Sequence, residues 1–500
     1  QPKLMGAGTS PCPPEALKQL GGDSMRHIVF AAALCAATPT LAATDCAGLA
    51  KLALPNVTIT AATEVAADTG ISIKEAPNPV KLPFAVCKVE ATARPTADSD
   101  IRLAVLIPVG DAWNGKFVQV GNGGFGGRIP WGTMLLGLSR GYAVAGTDDG
   151  HQSDDGTDAS WALGHPEKVT DFGWRAVKTT TDTAKAIVAA YGKAAKRNYF
   201  FGCSDGGREA LMTAQRYPAD FDGIVAGAPA WAWTRMMGVS GLATKALVAP
   251  GGNLPPAKLP ALQAAALKAC GNGKSYIADP QSCRFDPVVL QCKGAETDAC
   301  LTAKQVAVAR SIYRGRPDII GGGYMPGLTP GAEAAANSWA GWGVSTTDAD
   351  TSRATNSGFA WNHFAYLVVK DPKFDLRNLT DAQVIAGDRE WRGTLNADSP
   401  DLSAFKARGG KLLGYHGWND PAIPPGLSLE YLANVRKAMG PTDDFYRVFM
   451  VPGMLHCRGG DAPVNVDWFA LLDTWVETGV APAAVTAAGG GATQVLNYQK

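Results

Sequence analysis

The chain has 500 residues, 46% hydrophobic and 18% charged, a balance that allows a large buried core and excludes an intrinsically disordered protein. Its formal net charge is +1 and no run of Lys or Arg stands out, so it lacks the basic stripe that a phosphate backbone or an anionic membrane would need. Neither nucleic acid nor membrane is an expected partner, and the length suggests roughly one to three domains.

Gln1–Ser24 is rich in Pro and Gly and reads as sequence upstream of the protein proper. From Met25, Arg26 and His27 precede an apolar run, Ile28–Ala37, and then Pro39-Thr40-Leu41-Ala42-Ala43, the three parts of a secretory signal. The run falls short of the roughly 20 apolar residues that span a bilayer. Residues 1–43 are therefore assigned to an upstream segment and signal peptide, and the protein is expected to be secreted or periplasmic after cleavage near Ala43. Cysteine usage agrees: of ten cysteines, Cys12 and Cys35 leave with the leader, and an even set remains for pairing in an oxidising compartment. No Cys-x-x-Cys and no His pair at ligand spacing accompanies them, so no zinc site is expected.

Residues 44–230 read as the first part of a catalytic domain. Ile101–Pro108 and Lys116–Val120 are predicted strands, followed by the glycine-rich stretch Gly121–Gly127; Tyr142–Thr147 is a further strand and Asp171–Tyr191 a helix. Asn198–Gly202, Arg208–Arg216 and Gly223–Gly227 continue as strand, helix, strand, an alternation that argues a doubly wound, mostly parallel sheet. Between residues 231 and 403 this rhythm stops, Trp, Pro and Gly become frequent, and four cysteines cluster from Cys270 to Cys300, which reads as an inserted lid. Residues 404–500 resume the pattern with Ala404–Arg408, strand Lys411–Tyr415, the apolar Tyr446–Val451 and an amphipathic helix Val466–Thr478. Ala481–Ala492 reads as a Gly/Ala-rich low-complexity stretch.

Gly202-Cys203-Ser204-Asp205-Gly206 matches G-x-S-x-G between a strand and a helix, the setting of a nucleophile elbow, where small neighbours permit a strained turn and the helix N-terminus supplies amides for an oxyanion. A serine hydroxyl needs a base, and in α/β-hydrolases the order is Ser, acid, His. His416 and His456 both follow Ser204, but only His456 has an acid, Asp420, between it and the serine on a loop leaving a strand, so the predicted triad is Ser204, Asp420 and His456. His151 and His165 precede the serine; His363 lies in the lid, where contact with substrate or water is expected. Cys203 and Cys457 each adjoin a triad member, and a disulfide between them would clamp the site. Gly121-x-Gly123-x-x-Gly126 also fits a dinucleotide fingerprint, but Arg128-Ile129-Pro130 stands where a helix must open. An oxyanion hole suits the loop better, with the amide of Gly123 or Gly124 joining that of Asp205.

The chain resembles the tannase and feruloyl esterase family, which also includes the hydrolase of mono(2-hydroxyethyl) terephthalate. The segments that carry the resemblance are GYAVAGTDDGH (Gly141–His151), DFGWRAV (Asp171–Val177), FGCSDGGRE (Phe201–Glu209), FDGIVAGAPA (Phe221–Ala230), GYHGWNDPAIPP (Gly414–Pro425) and VPGMLHCRGG (Val451–Gly460). The resemblance implies an α/β-hydrolase fold with a large inserted lid, the triad above with Cys203 bridged to Cys457, and further pairs Cys46–Cys87, Cys270–Cys283 and Cys292–Cys300. It implies a pocket for an aromatic acyl group and no cofactor. Many relatives carry an Asp-rich calcium loop in the lid, but here Cys270–Pro280 has a single Asp beside a Lys, too few oxygens for an ion that takes six to eight; no calcium and no other metal is expected.

The expected activity is hydrolysis of feruloyl- or galloyl-type esters, small aromatic substrates, through an acyl-enzyme on Ser204, with terephthalate monoesters as an alternative. Residues placed to contact such a substrate are His416 and Ile423 beside Asp420, and Trp342, Arg353 and Phe359 in the lid. The other reading makes His416 a strand-end core histidine, the aromatics lid core and Arg353 a solvated charge. A non-catalytic aromatic-ligand binding protein on a hydrolase scaffold is the alternative from another class, and a missing triad member would have marked it; a peptidase or acyltransferase would share the triad order.

Overall fold

The structure is a computed structural model and describes residues 44–73, 76–192, 194–344 and 355–500, with the backbone alone for 355–357. The expected leader and Arg353 lie outside the described residues.

A nine-stranded sheet, ordered β1-β2-β3-β5-β4-β6-β7-β10-β11, organises the chain. Its strands are β1 Val57–Val65, β2 Val86–Ala93, β3 Ile101–Pro108, β4 Lys116–Val120, β5 Ala143–Thr147, β6 Arg197–Cys203, β7 Gly223–Gly227, β10 Lys411–Gly417 and β11 Tyr446–Val451. From β5 through β11 all neighbours are parallel, while β1, β2 and β3 form an antiparallel flank. The central strands AVAGT and GIVAG are buried along their whole length, as parallel strands covered on both faces must be, which is why they read as unbroken apolar runs. β1 and β2 escape a sequence reading because an exposed flank tolerates Thr, Glu and Lys, and VTITAATEV buries only alternate residues in part.

Helices α1 Trp131–Leu138, α2 Pro166–Thr170, α3 Ala176–Tyr191 and α4 Asp205–Arg216 connect the first strands. The predicted helix Asp171–Tyr191 divides: Asp171–Arg175 is a π-helical turn that leads into α3. There the carbonyls of Phe172 and Gly173 accept hydrogen bonds from Arg208, at 3.0 and 2.7 Å, a widening of the kind that π-turns allow.

β7 and β10 are hydrogen-bonded neighbours, so everything from residue 228 to 410 leaves the sheet and returns beside the strand it left. This insert carries α5 Trp233–Leu247, α6 Leu259–Cys270, α7 Ala303–Arg314, the two-residue strands β8 Arg316–Pro317 and β9 Tyr324–Met325, α8 Thr355–Asn362, α9 Asp381–Leu395 and α10 Ser403–Ala407. It has a small core of its own around Leu247, Leu262, Leu301 and Trp339. Capping boxes start α7 and α9, where Thr302 with Gln305 and Thr380 with Gln383 satisfy the first amides reciprocally. Helices α11 Gly426–Met439 and α12 Trp468–Thr478 complete the sheet's cover. The stretch expected to be low-complexity is instead a hairpin, β12 Ala484–Gly489 with β13 Ala492–Asn497. Gly490 and Gly491, both at positive φ, make the two-residue turn whose twist suits such a ribbon.

Four disulfides link Cys46–Cys87, Cys203–Cys457, Cys270–Cys283 and Cys292–Cys300, the pairs the family resemblance implies. Among the described residues no helix is long and apolar enough to cross a membrane.

Candidate active site

Because β4, β5, β6, β7, β10 and β11 run parallel, the loops at their carboxyl ends meet at one edge of the sheet, where open α/β folds bind ligands. Ser204 stands between β6 and α4 with φ 67° and ψ −122°, a conformation that costs a non-glycine residue about 1–3 kcal/mol. The turn is held by backbone hydrogen bonds: Ser204 N–H donates to Gly227 O (3.0 Å), and its carbonyl accepts the N–H groups of Ala230 and Arg208 (both 3.1 Å). Gly202 and Gly206 are required sterically, since a Cβ on the first would lie 2.1 Å from Gly206 O and on the second 2.8 Å from Asn122 O.

His456 follows β11 and Asp420 follows β10, and their side chains meet, with His456 Nδ1 2.7 Å from Asp420 Oδ2. The carboxylate accepts, so Nδ1 carries the proton and Nε2 keeps its lone pair. Asp420 is buried, and its Oδ1 takes the amide N–H groups of Ala422 (2.8 Å) and Ile423 (2.9 Å). Burial by itself raises its pKa, but His456 and His416, by charge and hydrogen bond, outweigh that and hold the carboxyl well below the usual carboxylate range. The disulfide between Cys203 and Cys457, Cα atoms 6.0 Å apart, ties the residue before Ser204 to the residue after His456.

His416 does not reach the cavity. It is fully buried beneath Asp420, with Nε2 3.1 Å from Ile423 O and 3.2 Å from Asp420 Oδ2, and Nδ1 2.8 Å from Ser428 Oγ. Two acceptors at Nε2 place the proton there, so His416 donates to the acid loop and accepts from Ser428. His363, expected to meet substrate or water, is likewise buried, and burial lowers its pKa to about 3. His151 is buried and stacked on Trp161, its pKa lowered by burial to about 3; His165 pairs with Asp98 (2.8 Å) at the surface.

A cavity opens at Ser204. Its wall includes Gly124 and Asp205 from the catalytic edge, Ile423 from the acid loop, and Trp342 and Phe359 from the insert. Trp342 stands edge-on to the His456 ring, centroids 4.7 Å apart and planes at 75°. Met236 and Met237 of α5 and Arg316 of β8 also line it and were not foreseen. Arg316 Nη1 donates to Leu242 O (3.1 Å), and among the described residues the guanidinium has no carboxylate partner. Nothing local in the sequence marks these residues, because only the folding of the insert brings them to the cavity wall.

Of the two glycines considered as oxyanion donors, Gly123 has its N–H engaged by Asn122 Oδ1 (3.0 Å), whereas Gly124 stands on the cavity wall with Ser204. Asn122 in turn donates its side-chain amide to Arg128 O and Thr147 O, both at 2.9 Å, so the loop is fixed from several sides. In the insert, Cys270–Cys283 contains one carboxylate, Asp279, whose Oδ1 accepts the N–H of Ser282 while its backbone carbonyl accepts the Ser282 hydroxyl, and Lys274 stands over Tyr276. That donor set does not fit a calcium ion.

The strand order and the strained serine at its edge place the chain among the α/β-hydrolases. Residues 87–496 match the tannase and feruloyl esterase family, and the chain belongs to it. It is 37% identical to an esterase of Xanthomonas campestris pv. campestris, over 90% of this chain and 85% of that protein. It is 30% identical to the mono(2-hydroxyethyl) terephthalate hydrolase of Piscinibacter sakaiensis, covering 78% and 75%. The crystal structure of feruloyl esterase B from Aspergillus oryzae superposes with a TM-score of 0.81 at 25% identity, covering 91% of this chain and 95% of that one. The protein is a carboxylic ester hydrolase.

Proposed function

We propose that the protein hydrolyses esters of aromatic acids, of the feruloyl or galloyl type, through Ser204, His456 and Asp420. The observation that carries this reading is the 2.7 Å contact of Asp420 with His456 Nδ1 at the same sheet edge as the strained Ser204, beside a cavity walled by Trp342 and Phe359. His456 Nε2, free to accept, takes the hydroxyl proton as Ser204 Oγ attacks the ester carbonyl. The developing oxyanion is met by the amides of Asp205, the first residue of α4, and Gly124. The imidazolium, stabilised by Asp420, returns the proton to the leaving alcohol; water then repeats the cycle and releases the acid from the acyl-enzyme. Residues 231–403 act as the lid that shapes the pocket. Four disulfides support export to an oxidising compartment.

Hydrolysis of methyl ferulate, methyl gallate, mono(2-hydroxyethyl) terephthalate and a short p-nitrophenyl ester by wild type and Ser204→Ala tests this. Turnover of an aromatic ester that vanishes in the variant is expected; full activity in Ser204→Ala would refute the triad.

A second reading, terephthalate monoesters, is favoured by Arg316, a guanidinium on the cavity wall without a carboxylate partner among the described residues, which suits a substrate with a free carboxylate. On that reading Arg316→Met raises KM for mono(2-hydroxyethyl) terephthalate and leaves methyl ferulate unchanged. An equal effect on both excludes it.

A further inference from the structure

Asp149, at the end of β5, and Asp205 and Glu209, one turn apart on α4, bring carboxylate oxygens within 4.8 Å of one another, and all three are buried. The one cation among them, Arg208, is committed elsewhere. It donates to both oxygens of Asp205 (2.5 and 3.2 Å) and to the carbonyls of Phe172 and Gly173. Asp205 and Arg208 therefore neutralise each other, and Asp149 and Glu209 are left face to face.

Glu209 Oε2 accepts the N–H of Asn122 at 2.9 Å. Its Oε1 and both oxygens of Asp149 receive no N–H or O–H donor from any described group. Two such carboxylates cannot both be charged, because each buried ion costs several kcal/mol and like charges at this range repel. One proton between them resolves the problem, giving Asp149 a donor and Glu209 Oε1 an acceptor role at once. Asn122 N–H donates to Glu209, whereas no hydrogen-bond donor among the described residues reaches Asp149, so the proton belongs to Asp149.

We propose that Asp149, as a neutral acid, donates a shared proton to the Glu209 carboxylate, and that this pair positions the glycine-rich loop facing Ser204. The pair touches that loop at three points. Besides Asn122 N–H, a Cβ at Gly121 would lie 2.5 Å from Glu209 Oε2, and one at Gly126 would lie 2.7 Å from Asp149 Oδ2. One proton thus binds the ends of β4 and β5 to the helix that Ser204 opens. Burial, then the charges of Glu209 and Asp205, push the Asp149 pKa well up; burial and Asp205 push Glu209 up to about 7. The other charged groups that act on the pair are Asp205 and Arg208 from α4, and Asp148 and His151 flank Asp149 in the chain. Loss of the proton at alkaline pH puts a second negative charge under the loop and displaces the Gly124 amide.

The positioning role rests on the Ser204 reading, and the measurement separates the two. Infrared difference spectra at neutral pH are expected to show the carbonyl band of a protonated buried carboxyl in wild type and in Ser204→Ala. The part of that band that remains above the titration of Asp148 should be lost in Asp149→Asn, whose amide donates the same hydrogen bond without an ionisable proton. Glu209→Gln should lose it too, because its amide donates to Asp149 and lets it ionise, and this variant carries the test if Asp149→Asn does not fold. With a p-nitrophenyl ester, wild-type kcat is expected to fall on the alkaline side and Asp149→Asn to move that limb up by about one pH unit or more. A band absent from wild type, or unchanged in both variants, overturns the shared proton. An alkaline limb identical in wild type and Asp149→Asn overturns the positioning role. Activity surviving in Ser204→Ala would instead fault the Ser204 reading and leave the band untouched.

Discussion

The acid of the proposed triad is defined less by its own chemistry than by what surrounds it. Asp420 uses Oδ1 to cap two backbone amides and Oδ2 to receive two histidines, so its charge and orientation are both fixed before substrate arrives. Asp420→Asn is close in shape but cannot hold His456 in the Nδ1–H tautomer, so kcat should fall by about 10⁴-fold with KM little changed, as steady-state kinetics on the ester of choice will measure. Ser204, Asp420 and His456 could be nominated from the sequence because G-x-S-x-G and the order Ser, acid, His are short local signals. His416 was not, because one histidine at a strand end reads the same whether it faces a cavity or a neighbouring acid. Its two hydrogen-bonded nitrogens decide for the acid. Arg208, Glu209 and Asp149 stood in quoted motifs, yet nothing in their spacing said that three acids would converge on one cation.

At the level of elements, the site depends on strand ends being locked to each other. The Cys203–Cys457 bridge closes a loop of 254 residues across β6 and β11, beside both Ser204 and His456. Replacing both cysteines by Ala is expected to cost about 2–4 kcal/mol in denaturant unfolding. On the proposed triad the bridge holds serine and histidine together, so kcat should drop more than KM rises. Elements with strong periodicity or unbroken apolar runs, such as β3, β5, β7 and β11, were legible within a residue or so. Those that depend on context were not. The π-turn Asp171–Arg175 has two of its carbonyls bonded to the distant Arg208, and the β12–β13 hairpin includes the Ala-rich strand AVTAAG, which carries little hydrophobic pattern.

For the whole molecule, burying ionisable groups at the catalytic edge makes stability depend on pH in two opposite ways. Asp420 has its pKa depressed on folding, so its contribution is present above the unfolded value and is lost as pH falls through the folded one: acid unfolding should be eased in wild type relative to a variant without that carboxylate. Asp148 is raised to about 7, chiefly by burial, so its folded form holds a proton that the unfolded chain has released. Its contribution is fully present below the unfolded pKa and is lost as pH rises through 7. The melting temperature should therefore decline between about pH 4 and 7. Asp148→Asn, which keeps the acceptor for Arg102 and Gly150, should flatten that decline; an unchanged slope in a thermal melt series would count against the assignment. The sequence by itself determined the fold class and nominated a nucleophile, an acid and a base, because each of these signals is written in contiguous residues whose steric or periodic demands are local. Tertiary structure alone decided which residues face the cavity, that His416 supports Asp420 while Arg316 and Trp342 line the cavity that opens at Ser204, and that Asp149 and Glu209 are buried together. These depend on distances between segments far apart in the chain, and burial, which sets the cost of every charge, exists only once those segments have packed.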